Sequence, residues 1–442
     1  MEELVGKLDE ILSEGEILTD EISLASYSYD ASGYIYRPEV VIRPGNVDEL
    51  MDVLKVLIDY RVPITPRGAG TSLVGGPLPV NGGAIIDLQM LNEILEVDED
   101  RGVVQVEAGV KVSTLNELID GRFMPINPDG TGSSTIGGLV AEDAASPLSS
   151  IYGTIKDLTL GMELLLPNGD LISLDGPVNR SRRNLIDLII GSEGTLGIVT
   201  SVVLKLPAEP EERIAYEIAF TDLLDAISLA EEMEKAGIRH VVFEVYHNLG
   251  LVMASTEAEA IGYLEVMGPP ECVRAWDSRI RELSNKVNVI SIDQIDPYKA
   301  DRIWRERVKI YEAAKTTKKA LKVGSFKVNP TYIRDFVQEI DRTSNRMKLK
   351  SISVINPLLG WVIAILLHDR SSQNEVERAE KGMSEIVRMS SDMEASLGYG
   401  LGVGINRIST NLDEGFVQIY STIKRSFDPY WLFNPGKLIE RD

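Results

Sequence analysis

A glycine-rich loop, Thr65 to Pro77, constrains this chain more than any other stretch. It follows a short apolar segment that ends at Ile64, and it contains four glycines with Thr71 and Ser72. Because glycine has no Cβ, the backbone N–H groups of such a loop can approach an anion closely. Arg67 is its only formal charge. The loop predicts a diphosphate site built from backbone dipoles, with an ordinary glycine-rich turn as the equal alternative for this loop alone.

Two further loops of small residues make the ordinary-turn alternative weaker. One runs from Asp129 to Gly138 and the other from Gly191 to Gly197, and each combines glycines with Ser or Thr. The loop at 191–197 leads into an apolar segment rich in β-branched residues that begins at Ile198. Three such loops in one half of the chain indicate an extended ligand that is contacted from several sides.

Charge and composition exclude several classes of function. The 442 residues predict two or three domains, and a net charge of -23 disfavours nucleic acid or anionic lipid as a partner. Cys272 is the only cysteine and there are three histidines, which argues against disulfides, Cys-cluster metal sites and a zinc site. The acidic amino terminus is not a signal peptide, and the most apolar run, 361–367, is too short to cross a bilayer. We therefore expect a cytoplasmic protein without a transmembrane segment.

The pattern of elements changes at residues 206–210, where two prolines flank Ala208 and Glu209. Beyond this point the order strand, helix, strand, strand, helix occurs twice, from 214 to 283 and from 321 to 389. This order is typical of split β-α-β units that share an antiparallel sheet with helices on one face. No sequence repeat accompanies it. The chain is therefore predicted to be an α+β protein.

Taken together, the segments resemble the flavoprotein superfamily of vanillyl-alcohol oxidase and p-cresol methylhydroxylase. They are most similar to its branch of glycolate oxidase, D-lactate dehydrogenase and D-2-hydroxyglutarate dehydrogenase. The motifs follow the family's order over nearly the whole chain: residues 27–32, 66–72 with Gly75 and Gly76, 134–138, 152–154, 191–198, Trp304 with Arg307, and 434–437. Each motif is weak alone, and the series is specific.

The resemblance implies FAD bound in a domain of two α+β subdomains, residues 1–206. A cap or substrate domain, 207–395, and a C-terminal segment returning to the FAD domain, 396–442, complete the expected organisation. The first loop would take the pyrophosphate. The expected FAD-binding residues are Pro66, Arg67, Gly68, Ala69, Gly70, Thr71, Ser72, Gly76, Pro128, Asp129, Ser134, Thr135, Gly137, Gly138, Ala141, Glu193, Gly194, Gly197, Ile198 and Asn434.

The type of cofactor and its attachment follow from what the loops contain. No glycine closes the Gly68-Ala69-Gly70 motif as a dinucleotide fingerprint requires, so a nicotinamide-binding Rossmann fold is disfavoured. Family members that link FAD covalently usually do so through His or Cys. Neither residue stands in these loops, so we expect non-covalent FAD.

The chain departs from the metal-assisted pattern of the 2-hydroxy-acid branch. Asn356 and Ile363 stand at the two histidine positions of that branch's strand motif, and Gly398-Tyr399-Gly400 replaces its Glu-His-Gly loop. We therefore expect no metal site.

Candidate catalytic residues are Arg307, Lys327, Tyr399 and Asn356. Arg307 matches the family's Trp-x-x-Arg motif and is the preferred clamp for an anionic substrate, with Lys327 second. Tyr399 occupies the place of the base, but an unperturbed phenol, with a pKa of about 10, is a poor base. Asn356, like Asn406, could either bond substrate or cap a strand.

The expected function is metal-free, FAD-dependent oxidation of a small 2-hydroxy acid, with hydride transfer to flavin N5. Two alternatives stay open. One is oxidation of a sugar, lactone or glycerol-phosphate-like alcohol, and the other is a flavin-carrying electron-transfer subunit of a larger complex. The expected partners are an anionic or polar alcohol, an electron acceptor that the sequence does not identify, and either a second copy of the chain or a redox subunit.

Overall fold

The computed structural model describes residues 2–128, 130–174, 185–248, 258–307, 309–318, 320–405 and 414–439. Three sheets follow one another along the chain, with strands at 16–87, 94–205 and 212–397. Mixed helices and sheets confirm the α+β class. The division into 1–206, 207–395 and 396–442 stays a proposal, although the sheets fall on either side of its first boundary.

The first sheet has four strands in the order β1-β2-β4-β3, with β1–β2 antiparallel and the other pairs parallel. Its elements are α1 (Glu2–Asp9), β1 (Glu16–Leu18), α2 (Glu21–Tyr27), β2 (Val40–Arg43), α3 (Val47–Asp59), β3 (Ile64–Arg67) and β4 (Ala84–Asp87). Asn46 caps α3 by accepting a hydrogen bond from the Glu49 N–H at 2.9 Å. Leu50, Leu54 and Leu57 form the buried face of this helix. In the sequence, Asn46 followed three residues later by Glu49 predicts a capping-box helix start at this point, and the start is confirmed.

The second sheet is antiparallel, with the order β5-β6-β9-β7-β8. Its elements are β5 (Ile94–Asp98), β6 (Val103–Glu107), α4 (Val112–Leu118), α5 (Ile136–Glu142), α6 (Ser149–Tyr152), α7 (Ile155–Leu158), β7 (Thr159–Leu165), β8 (Leu171–Leu174), α8 (Ile186–Ile189) and β9 (Ile198–Lys205). Thr135 caps α5 by accepting from the Gly138 N–H, which fixes the second glycine-rich loop against a helix start.

The third sheet contains eight strands, all paired antiparallel, in the order β13-β10-β12-β11-β15-β16-β14-β17. Its elements are β10 (Glu212–Phe220), α9 (Leu223–Lys235), β11 (Val241–His247), β12 (Ala260–Gly268), α10 (Pro270–Ser284), β13 (Val289–Ile295), α11 (Pro297–Arg305), α12 (Lys309–Thr317), β14 (Ala320–Lys327), a 3-10 helix (Pro330–Tyr332), α13 (Ile333–Arg346), β15 (Lys350–Asn356), β16 (Trp361–His368), α14 (Gln373–Asp392) and β17 (Ser396–Leu397).

This sheet confirms the duplicated pattern. The strand orders of its two halves mirror each other, and the halves join where β11 pairs with β15. Helices α9, α10, α13 and α14 pack on one face. The other face carries Tyr246, Trp361 and Ile363, which pack against Ala145 and Leu401. This second face therefore meets the domain that holds the glycine-rich loops.

The C-terminal segment returns to the first sheet. After α15 (Glu414–Phe427), Phe433 forms a parallel bridge with Ile64. The Asn434 N–H donates to the Ile64 carbonyl at 2.6 Å, and the Ile64 N–H donates to the Leu432 carbonyl at 2.7 Å. These bonds bring the end of the chain to the edge of β3, directly before the first loop.

Candidate functional site

The first glycine-rich loop leaves β3 with a geometry that requires glycine. Gly70 has φ +72°, and a Cβ on Gly68 would overlap the Thr135 hydroxyl at the start of α5. The backbone N–H groups of Ala69, Gly70, Thr71 and Ser72 have no acceptor within the described part of the chain. Buried or half-buried N–H groups normally find a partner, so four consecutive free donors indicate a place for an anion.

These residues line a cleft with about 960 Å³ of empty space. The three glycine-rich loops converge there. The Thr71 and Ser134 hydroxyls lie 3.1 Å apart and join the first loop to the second. The Asn434 side-chain amide donates to the Gly76 carbonyl at 3.2 Å and to the Glu193 carbonyl at 2.7 Å, joining the first loop to the third. The cleft is therefore an assembly of four distant chain segments.

Most residues expected to bind FAD lie in this cleft, and Asp129 lies outside the described residues. The cleft is lined by Pro66, Gly68, Ala69, Gly70, Thr71, Ser72, Gly76, Pro128, Ser134, Thr135, Gly138, Ala141, Glu193, Gly194 and Asn434. A smaller cavity that shares several of these residues adds Arg67, Gly137, Gly197 and Ile198. The structure thus brings the expected set together.

Arg67, the only charge in the first loop, is used to brace a neighbouring segment. One guanidinium nitrogen, Nη2, donates to the Tyr29 carbonyl at 2.9 Å, and Nη1 donates to the Pro77 carbonyl at 3.5 Å. Its side chain is buried, and burial lowers the pKa of Arg67 while Asp30 and Asp87 oppose this effect. Backbone dipoles, rather than this guanidinium, supply the free donors of the loop.

Glu193 holds the loop that follows the candidate catalytic residue Tyr399. Its carboxylate accepts hydrogen bonds from the Val403 N–H at 2.5 Å and from the Gly404 N–H at 2.9 Å. Burial raises the pKa of Glu193, and these N–H groups and Lys437 oppose the rise. The Glu193 side chain is therefore committed to the backbone of residues 403 and 404.

Several lining residues lie outside the set expected to bind FAD. Ala31 belongs to the motif at 27–32, Leu73 and Pro77 belong to the first loop, and the others are Leu139, Glu142, Tyr311 and Leu401. Glu142 directly follows the expected residue Ala141 on α5, so its position on this helix could have predicted that it lines the cleft. Tyr311 comes from α12, and Leu401 comes from the loop after β17. Both reach the cleft only because the third sheet packs against the part of the chain that forms the first two sheets.

The four candidate catalytic residues lie around one unexpected side chain, the buried Trp361. Its indole N–H donates to the Ser325 hydroxyl at 2.8 Å. The Arg307 guanidinium carbon lies 5.4 Å from the Trp361 ring centroid, and the Tyr399 ring lies 5.9 Å from it in an edge-on arrangement. Lys327 and Asn356 are both direct cross-strand partners of Trp361 on β14 and β15.

Arg307 is not a free cation. Its Nε and Nη2 each lie 2.6 Å from a carboxylate oxygen of Glu244, and Nη1 donates to the Pro128 carbonyl at 2.6 Å. Tyr246 also donates to Glu244. Burial alone would lower the pKa of Arg307, and the Glu244 carboxylate outweighs that effect and raises it. A substrate carboxylate would have to compete with Glu244, a residue that the sequence did not single out.

Lys327 has no carboxylate partner within the described ranges. Its ammonium donates to the Leu359 carbonyl and lies 4.6 Å from the Tyr399 ring centroid. Burial lowers the pKa of Lys327. This lysine is therefore a half-buried cation whose charge is not neutralised by a neighbouring acid.

Tyr399 and Asn356 have surroundings that bear on their expected roles. Burial, followed by Asp143 and Asp157, raises the pKa of the Tyr399 phenol to about 12. Asn356 donates to the Pro147 carbonyl at 3.4 Å and accepts from the Leu359 N–H at 3.1 Å. Asn406 lies outside the described residues.

Two further features of the chain concern metal and membrane binding. Within the residues that the structure describes, no three His, Cys, Asp or Glu side chains are grouped as a metal site would require. No helix in that same part of the chain combines the length and apolar character needed to cross a membrane.

Two protein-family models match most of the chain. Residues 38–175 match the FAD binding domain, and residues 209–438 match the C-terminal domain of FAD linked oxidases. Solved structures show the same fold. The chain superposes on p-cresol methylhydroxylase with a TM-score of 0.81 at 15% identity, covering 99% of this chain and 96% of that one. It superposes on alkyldihydroxyacetonephosphate synthase with a TM-score of 0.77 at 18% identity, covering 99% of this chain and 86% of that one.

Relatives are similar over nearly their full length. The glycolate oxidase subunit GlcD of Bacillus subtilis is 29% identical, over 94% of this chain and 92% of that protein. A D-lactate dehydrogenase of Anaerostipes hadrus is 27% identical, over 99% of this chain and 97% of that protein. The two family matches cover the domain that holds the glycine-rich loops and the third sheet. This chain therefore belongs to the FAD-linked oxidase family and is an FAD-dependent oxidoreductase.

Proposed function

We propose that the protein oxidises a small 2-hydroxy acid, with the substrate carboxylate held by Lys327. The half-buried ammonium of Lys327, which lacks an acidic partner in the described chain, carries this proposal. A partly desolvated cation beside aromatic side chains favours an anionic ligand, because an ion pair compensates the cost of burial. The names of the relatives, glycolate oxidase subunit and D-lactate dehydrogenase, support the same substrate class.

The cleft residues fit FAD as the cofactor. Four free N–H donors from Ala69 to Ser72 suit a diphosphate, and the missing Cβ of Gly68 leaves room beside Thr135. When bound, FAD supplies the acceptor for the hydride that leaves the substrate. Among the described residues that line the cleft there is neither His nor Cys, the residues through which family members usually link FAD covalently, and we propose non-covalent attachment.

Arg307 takes a different role in this proposal from the one that its motif suggested. Its bonds to Glu244 and to the Pro128 carbonyl connect the third sheet to the cleft wall. We assign it to positioning Pro128 and Trp361 and assign anion binding to Lys327. Tyr399 keeps its proton at neutral pH because its pKa is about 12, so we assign it hydrogen-bond donation rather than proton abstraction.

The decisive experiment is anaerobic mixing of the FAD-loaded protein with D-lactate, glycolate and D-2-hydroxyglutarate. We expect at least one of them to bleach the flavin absorbance. Dithionite serves as the control that the bound flavin can be reduced. If dithionite bleaches the flavin and none of the acids does, the substrate class is wrong.

The second candidate substrate is a sugar, lactone or glycerol-phosphate-like alcohol, favoured by the uncharged aromatic and aliphatic side chains around Trp361, Tyr246 and Ile363. Sugars, lactones and glycerol phosphates in the same assay distinguish it. A subunit role is the third candidate, since one relative is named as a subunit. Stable co-purification with an iron–sulfur or flavin partner, together with no turnover of the isolated chain with a dye acceptor, supports it. The cytoplasmic location and the choice between a homodimer and such a complex stay predictions.

A further inference from the structure

An acidic side chain, Glu142, lies inside the cleft that is otherwise suited to an anion. It ends α5 and lies between the first loop and the loop after β17. A Cβ on Gly76 would lie 3.2 Å from a Glu142 carboxylate oxygen, and a Cβ on Gly402 would lie 3.3 Å from its Cγ. The hydroxyl of Ser72, one of the residues with a free backbone N–H, lies near the same Gly76 Cβ position and acts to lower the pKa of this carboxyl. The Glu142 carboxyl and the expected diphosphate donors therefore share one wall.

The charged groups that face Glu142 from the surrounding segments are also acidic. Glu193 lies on the third loop and Asp30 on the segment before β2, and both act on Glu142 through their charge. The basic groups nearby are committed elsewhere. Lys437 donates to the Leu78 carbonyl at 2.7 Å, and Arg67 donates to the Tyr29 carbonyl. No basic side chain pairs with Glu142 within the described residues.

The three acids differ in how they are satisfied. Both carboxylate oxygens of Glu193 accept backbone N–H bonds from residues 403 and 404. One oxygen of Asp30 accepts from the Ser32 N–H at 2.9 Å, and its other oxygen is buried without a partner. For Glu142 the only compensating neighbour among the described residues is the Ser72 side chain, which acts to lower its pKa. Glu142 is thus the carboxyl with both access to the cleft and unused hydrogen-bonding capacity.

We propose that Glu142 is an FAD-contacting residue that carries a proton in the complex and donates a hydrogen bond there, and that it takes this proton from solution when FAD binds at a pH at which the free carboxyl is ionised. An FAD diphosphate brings two negative charges into a cleft that two carboxyls, Glu142 and Glu193, already line, with Asp30 acting on Glu142 through its charge. Like charges at close range disfavour one another's ionised forms, so the carboxyl with the fewest compensating bonds gains the proton. This inference rests on FAD binding and is independent of the substrate class.

The direction of the pH effect follows from the site. Burial raises the pKa of Glu142 to about 8, with Ser72 opposing the rise and Glu193 and Asp30 adding to it. Bound FAD raises it further. At pH 7 the Glu142 carboxyl of the free protein already carries the proton, so the affinity for FAD does not change with pH near this value. Above pH 8 binding must take the proton from solution, and affinity falls by up to about tenfold per pH unit.

The test is the FAD dissociation constant of the apoprotein between pH 6.5 and 9, measured by flavin fluorescence. Calorimetry in two buffers of different ionisation enthalpy gives the number of protons taken up. We expect wild type to lose affinity above pH 8 and to take up close to one proton at pH 9. Glu142→Gln should bind FAD with little pH dependence and take up none. Glu107→Gln, which removes a carboxyl on the outer face of β6, should behave as wild type.

Lys437 requires a separate control variant because it would also titrate in this pH range. Burial lowers the pKa of Lys437 to about 8, and Glu193 and Asp30 oppose the shift. Lys437→Gln should weaken FAD binding at every pH but keep the decline above pH 8. If Lys437→Gln abolishes that decline and Glu142→Gln keeps it, the inference is wrong. Wild-type FAD binding without proton uptake at pH 9 also overturns it, even if Glu142→Gln fails to fold. Absence of FAD binding at any pH would instead contradict the cofactor assignment.

Discussion

Arg307 and Glu244 form a fully buried bidentate ion pair, with both N···O distances 2.6 Å. The pair is built between the segment after α11 and strand β11, and the Arg307 Nη1 bond to the Pro128 carbonyl extends it to the cleft wall. Breaking a buried pair from one side leaves an uncompensated charge, which costs more than the pair itself contributes. The pair therefore makes the packing of the third sheet sensitive to a single substitution.

Glu244→Ala should lower the free energy of unfolding by about 3–5 kcal/mol, because the Arg307 guanidinium stays buried without its partner. Urea unfolding followed by tryptophan fluorescence measures the change. Glu232→Ala, which removes an exposed pair with Lys235, is the control and should change stability little. Equal effects of the two substitutions would contradict the buried pair.

Gly68→Ala should weaken FAD binding by at least about tenfold, equivalent to about 1.4 kcal/mol, because the new methyl group meets the Thr135 hydroxyl. Gly6→Ala is the matched control. No atom lies within 4 Å of its added Cβ, and Gly6 is in helix α1, where alanine is favoured by about 1 kcal/mol. Fluorescence titration of the two apoproteins with FAD compares them. Unchanged affinity in Gly68→Ala would remove Gly68 from the cofactor site.

Lys327→Met should raise KM for a hydroxy-acid substrate by about 10-fold to 100-fold, since a hydrogen bond to a charged group contributes about 1.5–3 kcal/mol. We expect Lys327→Arg to recover part of this loss and kcat to change less than KM. Lys318→Met, which breaks an ion pair with Glu375, controls for the loss of a lysine from the same domain. A Lys327→Met enzyme with unchanged KM would assign anion binding to another residue.

Tyr399→Phe tests the phenol as a base. Because the pKa of Tyr399 is raised to about 12, we expect removal of the hydroxyl to slow flavin reduction by less than about tenfold. A true general base would contribute about 100-fold or more. Stopped-flow reduction between pH 7 and 9 measures the rate. A loss of that larger size, with an altered pH profile, would restore the catalytic role.

Glu49 should make the first domain sensitive to acid. Burial alone would raise its pKa, but hydrogen bonds from the backbone N–H groups of Ser13, Glu14, Gly15 and Gly45 outweigh it and hold the pKa at about 2. Since the unfolded value is about 4.3, this group contributes about 3 kcal/mol at neutral pH.

The Glu49 contribution is complete above about pH 5 and is lost as the pH falls toward 2. The stability difference between wild type and Glu49→Gln, measured by urea unfolding, should therefore shrink from pH 7 to pH 3. Asp52→Asn, on an exposed part of α3, is the control and should show no such trend. A constant difference across this range would show that the carboxylate charge is not involved.

Local signals in the sequence predicted the elements, and the family resemblance carried by the motifs implied the cofactor class. Glycine positions, helix caps and alternating apolar residues act over a few residues, so they predicted the three loops, the start of α3 and the duplicated strand pattern. The same signals left one detail wrong. Asn46 and Glu49 suggested a reciprocal capping box, yet the Glu49 carboxylate bonds to residues 13–15 and 45 instead.

Partners were decided only by tertiary structure. Arg307 was recognised by its motif, but Glu244, 63 positions away, determines whether its charge is available. Lys327 gained importance because packing gives it no acid, and Trp361 became the centre of the candidate site through cross-strand register. Charge compensation depends on distances between side chains that are remote in the chain, whereas loop chemistry depends on adjacent residues. For this reason the sequence alone predicted the loops expected to bind FAD, and the fold decided which charged side chains lie near them.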